Sequence, residues 1–307
     1  MEIQLDILES LGVAIIAYML GVFIKNRVNF FQKFFIPSPV IGGLIISLIN
    51  LIFNQSGLGF FKFDDVIQDF FMNIFFTSIG LACSFKVLKK SGWLGIKLAF
   101  AIILLLPLQN ILAVGLAKFM GINPLLGVAM GSTSMTGGIG SAVSFGKIME
   151  GYGATNSTSI GVAAATFGML IGSLVGGPVA SRLIRVHNLK STGGQIVNSN
   201  DKNINLINQK TLMDAIIIIA LASFLGTFIN RLLALTSLNF PYYVGCQFGG
   251  LITRNILDLT KKDINTKSID TLGNISLSLF LSLALINLNI SAMLNLALPM
   301  LIIMVAQ

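Results

Sequence analysis

The sequence predicts an all-α polytopic membrane protein. Its 307 residues are 54% hydrophobic and only 10% charged, and their mean hydropathy is +0.86. This composition is typical of chains with repeated apolar stretches that cross a bilayer as helices. The net charge of +8 indicates basic loops on the cytoplasmic face of a membrane, so we expect a lipid bilayer and no nucleic acid as partner.

Apolar stretches separated by polar loops predict eight spans and a shorter ninth run from about Leu294 to Gln307. Pro37 and Pro241 stand at the starts of the second and seventh spans, where proline is tolerated because the first helical N–H is unpaired anyway. A polar segment, residues 181–210, predicts a cytoplasmic linker after the fifth span. In order, the spans are about Ser10–Ile24, Ile36–Phe53, Phe70–Phe85, Trp93–Ala117, Ile160–Ala180, Leu212–Leu233, Phe240–Leu257 and Leu272–Leu288.

The segment 123–150, between the fourth and fifth spans, differs from the spans in its composition. It carries no charge from Pro124 to Gly146, yet it combines serines and threonines with closely spaced glycines, which weaken a helix interior. Broken backbone at membrane depth survives only when it is buried in protein or lines a wet cavity. We therefore expect a re-entrant hairpin, two half-helices that meet at Gly137–Gly140. The alternative is a glycine-rich helix that crosses the membrane and packs closely against its neighbours.

Loop charge favours the hairpin. With Met1 outside and a hairpin that returns to its own side, sixteen of the twenty Lys and Arg residues face inside. If the segment crossed instead, nine of the ten basic residues from Arg182 to Lys267, all but Arg231, would face outside, against the positive-inside bias. The sequence thus predicts a multi-pass protein of the plasma membrane with its N-terminus outside.

A faint internal repeat suggests two related halves. The sequence GGLI occurs at Gly42–Ile45 and again at Gly249–Ile252, each time shortly after a proline-led helix start. The predicted directions of these two spans are opposite, and opposed copies of one unit are typical of inverted-repeat secondary transporters. We expect residues 1–180 to form the first repeat and residues 211–307 to form a partial second repeat.

The hairpin tip is the predicted binding site. Glycine N–H groups at a half-helix start attract anions, and Ser/Thr hydroxyls with freed carbonyls suit a hard cation such as sodium. The alternative is that these hydroxyls only help helices to pack. The candidate substrate residues at the tip are Ser132, Thr133, Ser134, Thr136, Gly137, Gly138, Gly140 and Ser141, and the candidate sodium ligands are Ser134, Thr136 and Asn110. No paired carboxylates, Cys/His cluster or nucleophile–base set lies in the spans, so no enzyme is expected.

The segment Met130–Ala180 closely resembles the first signature region of the bacterial sodium/glutamate symporter family. Further matches are IPSPVIGGL (Ile36–Leu44), FFTSIGL (Phe75–Leu81), PLQN (Pro107–Asn110), LGNISLSLFLSLAL (Leu272–Leu285) and LALPML (Leu296–Leu301). The resemblance implies two five-span halves of inverted topology, each with a re-entrant hairpin before its last span. It also implies that Asn156, at the start of the helix after the first hairpin, belongs to the substrate site. It also implies a homodimeric, elevator-type carrier that moves glutamate with sodium as coupling ion, without other cofactors, across the bacterial inner membrane.

Two departures from the family pattern leave alternatives open. The family usually has histidine where this chain has Ile139, which admits a carrier of another small carboxylate. The chain also stops at Gln307, whereas the family continues through a second hairpin and a tenth span. We therefore expect an incomplete second repeat, and a truncated remnant that does not transport is a further alternative.

Overall fold

The computed structural model describes residues 2–34, 36–57, 59–188, 207–236, 239–260, 262 and 264–307. Two short strands, β1 (Glu2–Gln4) and β2 (Phe60–Lys62), pair in parallel, and the other elements are helices. The helices are α1 (Ile7–Arg27), α2 (Asn29–Lys33), α3 (Ser38–Gln55), α4 (Asp65–Ala82), α5 (Phe85–Phe119), α6 (Pro124–Met130), α7 (Ser132–Met135), α8 (Gly138–Gly151), α9 (Ser157–Val186), α10 (Gln209–Leu233), α11 (Tyr242–Leu259), α12 (Thr266–Ile286), α13 (Ile290–Asn295) and α14 (Ala297–Ala306).

Six of the described helices are long and apolar enough to cross a membrane, which confirms the predicted all-α polytopic membrane protein. They are α1, α3, α9, α10, α12 and the part of α5 from Gly92 to Phe119. The helices α4 and α11 have 18 residues each, about 27 Å of helix, and they carry more polar side chains. Because α4 packs among α10, α11 and α12, its polar residues are shielded from lipid.

Contacts between loops identify the two ends of the bundle. At one end, β1 pairs with β2 and the Asn287 amide donates to Asp65 Oδ1 at 3.3 Å, which joins the starts of α1 and α4 to the end of α12. At the other end, Ser84 Oγ donates to Asp258 Oδ2 at 2.5 Å and Lys86 Nζ donates to the Asp258 carbonyl at 2.9 Å. The helices α4 and α11 therefore finish at the same end.

The two GGLI segments make equivalent contacts. A Cβ at Gly42 of α3 would lie 1.6 Å from the Ala17 carbonyl oxygen of α1, and a Cβ at Gly249 of α11 would lie 2.2 Å from the Ala222 carbonyl oxygen of α10. In each case the first glycine of the pair brings its helix into backbone contact with the long helix that precedes it. Small residues of this kind drive helix association in membranes.

The second glycine of each pair contacts the opposite half of the chain. A Cβ at Gly43 would lie 2.4 Å from Leu285 Cβ of α12, and a Cβ at Gly250 would lie 2.4 Å from the Thr77 carbonyl oxygen of α4. Helix α3 thus joins α1 to α12, and α11 joins α10 to α4. We call these six helices, α1, α3, α4, α10, α11 and α12, the helix block.

The predicted linker, residues 181–210, is shorter than expected. Helix α9 continues past the predicted end of the fifth span at Ala180 and ends at Val186, because apolar residues such as Leu183 and Ile184 still alternate with the arginines. Helix α10 already begins at Gln209. Residues 189–206 of the predicted linker lie outside the described residues.

The predicted ninth run forms α13 and α14, separated at Leu296. Helix α14 packs against α5, α6 and α9, and it buries Ile303 and Met304 in this contact. The Gln307 side chain donates to the Met130 carbonyl oxygen at 3.5 Å. The C-terminal residues of this chain therefore lie against the segment that the sequence predicts to be a hairpin.

The glycine contacts of the helix block can be tested with alanine substitutions. Gly42→Ala and Gly249→Ala would each place a methyl group against a backbone carbonyl that cannot move aside, so we expect a loss of roughly 1–3 kcal/mol of stability or more. The measurement is the melting temperature of the detergent-solubilised protein. Gly12→Ala on α1 is the matched control, because no atom lies within 4 Å of its Cβ position. Equal melting of all three variants would contradict this packing.

Candidate functional site

The segment 123–150 is broken into three helices rather than two. The first break is at Gly131, with φ −85° and ψ −134°, and the second lies at Thr136 and Gly137, between α7 and α8. Gly138 has φ +74°, a conformation that favours glycine. The sequence placed the junction at Gly137–Gly140, but Gly140 already lies inside α8, because the backbone becomes helical again directly after Gly138.

The break lies about a third of the way along helix α9. The Met135 sulfur comes within 2.9 Å of the Cβ position of Gly168 on α9, eleven residues after that helix starts at Ser157. Eleven residues of helix rise about 16 Å, roughly half of a 30 Å bilayer core. Helix α8 then runs back along α9, so that Gly146 contacts Thr158.

The segment leaves the bundle near the point where it enters. Ala117, at the end of α5, shares one buried cluster with Leu126 of α6, Met149 of α8 and Ala154 in the following turn. A Cβ at Gly161 of α9 would lie 3.3 Å from Ala142 Cβ of α8 and 3.4 Å from the Ala129 carbonyl oxygen of α6, so the first and third helices of the segment lie side by side on α9.

The neighbouring helix α5 supplies two amide side chains to the tip. The Ser132 backbone N–H donates to Asn110 Oδ1 at 3.1 Å, and Thr136 Oγ1 donates to Gln109 Oε1 at 2.7 Å. Gln109 was not among the predicted site residues. Its place in the sequence PLQN, next to Asn110, was the available signal.

Below the tip, two hydroxyls face an excess of carbonyl oxygens. Ser134 is 2% exposed, and its Oγ lies within hydrogen-bond distance of the Ala129 carbonyl of α6 and, at 2.7 Å, the Gly161 carbonyl of α9. A hydroxyl has one proton, so it donates to one of these carbonyls and leaves the other with a lone pair directed at the Ser134 oxygen. Thr133 Oγ1 lies in the same way between the Val128 carbonyl and, at 3.3 Å, the Ala129 carbonyl.

The tip itself is open and carries no fixed charge. Thr136 and Gly137 are exposed, and Gly138 has no atom within 4 Å of its Cβ position. Gly137 is the residue before α8 and provides no side-chain cap, so the first N–H groups of this 14-residue helix are directed at the tip without a side-chain acceptor. These N–H groups and the helix dipole favour an anion.

The other face of the tip meets two aromatic residues of the helix block. A Cβ at Gly140 would lie 3.1 Å from Phe76 Cζ, and the Phe76 ring stacks on that of Tyr243 with centroids 3.8 Å apart and planes at 24°. Ser141 interacts with the Tyr243 side chain. Phe76 and Tyr243 were not among the predicted site residues, because they lie on α4 and α11, far along the chain from segment 123–150.

Ile139, where the resembled family usually has histidine, does not line the open tip. Its side chain is 6% exposed and belongs to the buried cluster that also contains Phe76, Tyr243 and Phe280. The isoleucine therefore strengthens the apolar contact between α8 and the helix block, and it leaves the lining of the tip unchanged.

Asn156 is not brought together with the tip. It adopts φ +63° in front of α9, and its Oδ1 accepts from the Asn289 amide at 3.0 Å. Asn289 also donates its backbone N–H to Ser159 Oγ at 2.9 Å and borders a cavity of about 420 Å³ that is rich in asparagine. Asn156 thus belongs to a polar cluster with Ser159 and Asn289, one to two helical turns from Ser134.

A polytopic helical membrane protein with a broken helix pair at half depth has the architecture of a secondary transporter. A family model for the sodium/glutamate symporter matches residues 3–307, and the chain belongs to this family. It is a transporter and not an enzyme.

Curated relatives agree with this assignment. The chain is 34% identical over 312 residues to the sodium/glutamate symporter of Escherichia coli (strain K12), in an alignment that covers 99% of this chain and 78% of the relative. It is 32% identical over 311 residues to the sodium/glutamate symporter of Haemophilus influenzae, with 97% and 76% of the two chains covered. No solved structure matches the chain.

The conformation at Gly138 predicts a specific mutational pattern. Gly138→Ala should lower stability by about 1 kcal/mol because a non-glycine residue is strained at positive φ, although there is space for the methyl group. Gly138→Asn should lower it less, because asparagine tolerates the left-handed region better. Melting temperatures of the two purified variants check this order. The backbone geometry would be contradicted if Gly138→Ala melted at the wild-type temperature. It would also be contradicted if Gly138→Asn melted at a lower temperature than Gly138→Ala.

Proposed function

We propose that this chain carries out sodium-coupled symport of L-glutamate across the membrane by alternating access around the tip of segment 123–150. The observation that carries the proposal is the uncapped start of α8 beside an exposed, uncharged, hydroxyl-lined tip. The printed names of the relatives, sodium/glutamate symporters, agree with it. The transported molecules are glutamate and sodium, and no other cofactor enters the proposal.

The substrate carboxylate is expected at the start of α8. Gly138 leaves space for close approach of a ligand to the backbone N–H groups, and Thr136 adds a hydroxyl that donates to Gln109 Oε1. Charge at a helix start contributes typically 0.3–1 kcal/mol at the surface and up to about 2 kcal/mol when partly buried. Ser141 and the Tyr243 ring form the opposite wall and can contact the rest of the substrate.

The coupling sodium is expected next to Ser134. The carbonyls of Ala129 and Gly161 flank one hydroxyl with one proton, and a cation relieves this excess of acceptors because it binds all three oxygens at once. The other two candidate ligands are less available. Asn110 Oδ1 already accepts the Ser132 N–H, and Thr136 Oγ1 lies at the exposed tip with one oxygen beside it, Gln109 Oε1, where Ser134 has two carbonyls.

The proposal includes the re-entrant hairpin at 123–150 and two halves of inverted topology, residues 1–180 and 211–307. The shared cluster of Ala117, Leu126, Met149 and Ala154 supports the hairpin, and the equivalent contacts of the two glycine pairs support the halves. We place the N-terminus outside in the bacterial inner membrane, in agreement with the loop charges. The homodimer that the family resemblance implies is retained as part of the proposal.

No observation favours a different carboxylate as substrate. That alternative rested on Ile139, whose side chain lies in the buried cluster rather than at the open tip. Competition of labelled glutamate uptake by other small dicarboxylates separates the two substrates, and we expect glutamate to compete best.

The sodium site is tested by Ser134→Ala. Loss of one of three oxygens should raise the sodium concentration that gives half-maximal glutamate uptake on the order of tenfold, equivalent to about 1.4 kcal/mol. Uptake into membrane vesicles over a series of sodium gradients measures it. Ser47→Ala is the matched control, because Ser47 is equally buried at 2% and donates to a single carbonyl, that of Leu288, at 2.7 Å. An unchanged sodium dependence in Ser134→Ala would remove Ser134 from the site.

The hairpin is tested by the sidedness of its two ends. Single cysteines at Lys118 and Gly153, in a chain without Cys83 and Cys246, should both react with an impermeant maleimide added from outside the cell. A cysteine at Lys86, where α4 and α11 finish, should react only after permeabilisation. Labelling of positions 118 and 153 from opposite sides would mean that the segment crosses the membrane.

A further inference from the structure

A cavity of about 540 Å³ lies between the end of α10 and the start of α11, away from the tip of segment 123–150. Ligand pockets in proteins typically have volumes of about 300–1,000 Å³, so this cavity is large enough to hold a small molecule or a lipid headgroup. Its lining includes the polar residues Thr227, Asn230, Arg231 and Asn239 and the apolar residues Leu233 and Phe240.

The charge in this cavity is positive. Arg231 is the only charged residue among the described residues that line it. Its guanidinium carbon lies 5.7 Å from the centre of the Phe228 ring, and no carboxylate in the described part of the chain pairs with it. Lys147 and Arg254, by contrast, lie 2.8 Å and 3.3 Å from carboxylate oxygens. The cavity is therefore suited to an anionic ligand.

The cavity lies at the level of lipid headgroups. Arg231 is in the last turn of α10, two residues before that helix ends at Leu233. Helix α10 has 25 residues, about 37 Å of helix, and is apolar enough to cross a membrane, so its last turn reaches the membrane surface. Asn239 donates to the Tyr152 hydroxyl oxygen, so the cavity is on the side of the molecule that carries the turn after α8. In the proposed orientation this is the outer surface.

The lipid-facing side of α10 leads directly to Arg231. Leu221, Phe224 and Phe228 are all exposed, and they are spaced by three and four residues, so they lie on one face of the helix. The rings of Phe224 and Phe228 meet edge to face with centroids 5.0 Å apart, and Arg231 follows three residues later on the same face. An apolar face that ends in a cation matches a phospholipid, in which the phosphate follows the acyl chains.

The wall of the cavity is held by hydrogen bonds between the two helices. The Asn230 amide of α10 donates to the Tyr242 carbonyl oxygen at 2.6 Å, and its Oδ1 accepts from the Gly245 N–H of α11 at 3.1 Å. The dipole of α10 also favours a cation in its last turn, but that effect does not depend on a cavity. Arg27 in the last turn of α1 shows the difference, because it lies over the Phe23 ring at 4.4 Å and does not line this cavity.

We propose that this cavity binds the phosphate group of an anionic phospholipid. The Arg231 guanidinium binds the phosphate, and the acyl chains lie along Phe224 and Phe228. A guanidinium presents its N–H donors as a planar fork that matches two phosphate oxygens. Basic pockets between membrane helices bind lipid headgroups by the same chemistry. The inference does not depend on the proposed substrate, because the cavity and the tip share no lining residue.

Lipid titration of the purified full chain in detergent tests the proposal, with bound lipid counted by native mass spectrometry. The probes are phosphatidylglycerol, which is anionic, phosphatidylcholine, whose headgroup has no net charge, and glycerol 3-phosphate, which has no acyl chains. We expect phosphatidylglycerol to bind at least about fivefold more tightly than phosphatidylcholine, because one basic residue near an anionic lipid contributes about this factor. Equal binding of the two lipids overturns the proposal.

Competition separates a lipid from a free phosphate compound. Glycerol 3-phosphate at the same concentration as phosphatidylglycerol should leave lipid binding unchanged, since it cannot contact the apolar face of α10. Displacement of the lipid by an equal concentration of glycerol 3-phosphate overturns the lipid assignment, because the site then takes a soluble phosphate. Both measurements are made on the unsubstituted chain and need no glutamate uptake, so their outcome is separate from that of the transport experiments.

Arg231→Gln locates the site, with Arg27→Gln as the matched control. Both substitutions remove one guanidinium from the last turn of a membrane helix where it lies over a phenylalanine ring. We expect Arg231→Gln to weaken phosphatidylglycerol binding about fivefold and Arg27→Gln to leave it unchanged. Equal weakening by both variants overturns the proposal, since it indicates a general attraction of lipid to a basic protein. Unchanged binding in Arg231→Gln also overturns it.

Ala234→Phe tests the cavity while it keeps the guanidinium. Ala234 lines the cavity and is exposed, so a phenyl group at this position occupies the space of the headgroup without disturbing a buried contact. We expect it to weaken phosphatidylglycerol binding at least as much as Arg231→Gln does. Melting temperatures without lipid show that each variant is folded. A folded Ala234→Phe protein that binds phosphatidylglycerol as the wild type does overturns the placement of the lipid in this cavity.

Discussion

The structure depends on close backbone approach at two pairs of adjacent glycines, one in α3 and one in α11. In lipid, apolar side chains gain little by leaving their surroundings, so helices associate mainly through tight van der Waals contact between small residues. At Gly42, Gly43, Gly249 and Gly250 even one added carbon would come within 2.4 Å of a neighbouring helix. These contacts join α3 to α1 and α12 and join α11 to α10 and α4, and the packing of α4 against α12 unites the two sets into one block. They also place α4 inside it, where an 18-residue helix can carry Asn73, Thr77 and Ser78 without exposing them to lipid.

The helix block determines what surrounds the hairpin. It presents Phe76, Tyr243 and Phe280 to one side of α8, and Ile139 and Ala142 of α8 are buried against that surface. The opposite part of the tip, at Thr136 and Gly137, remains open. An apolar anchor next to a polar opening explains how a broken helix can persist at half depth. The absence of a charged side chain at the tip has a separate reason. A fixed charge at the bilayer centre is costly, whereas helix N–H groups and carbonyl oxygens can bind both an anion and a cation without one.

Sequence patterns predicted the features that depend on a single segment. Apolar length predicted the spans, glycine and serine spacing predicted the break near Gly138, and the repeated GGLI pointed to equivalent contacts of α3 and α11. Features that depend on the register between distant helices were missed. Phe76 and Tyr243 stack although they are far apart in the chain, and nothing in either local sequence indicates this contact. Asn156 was assigned to the site through the family resemblance, yet it lies in front of α9, where its Oδ1 accepts from the Asn289 amide. The break also has two steps, because Gly131 interrupts the helix before Gly138 does.

In a carrier, some contacts between helices must change while others stay fixed. In this chain the contacts of α4 with α11 and with α8 differ in their chemistry. If α11 shifted by one turn against α4, the Gln247 carbonyl that now occupies the space above Gly80 would meet a side chain instead, so this boundary has one register. The contact between α8 and α4 has no such backbone interlock. It is made by Gly140, Ser144 and Lys147 of α8, which lie against Phe76, Met72 and Asp69 of α4. Its middle contact is made by the thioether of Met72, a flexible side chain that repacks readily, and its inner contact is a flat ring against Gly140. Its outer contact is an ion pair that water can replace on both partners. Each of these three contacts is therefore weaker and more easily replaced than the backbone contacts that Gly80 and Gly250 make between α4 and α11.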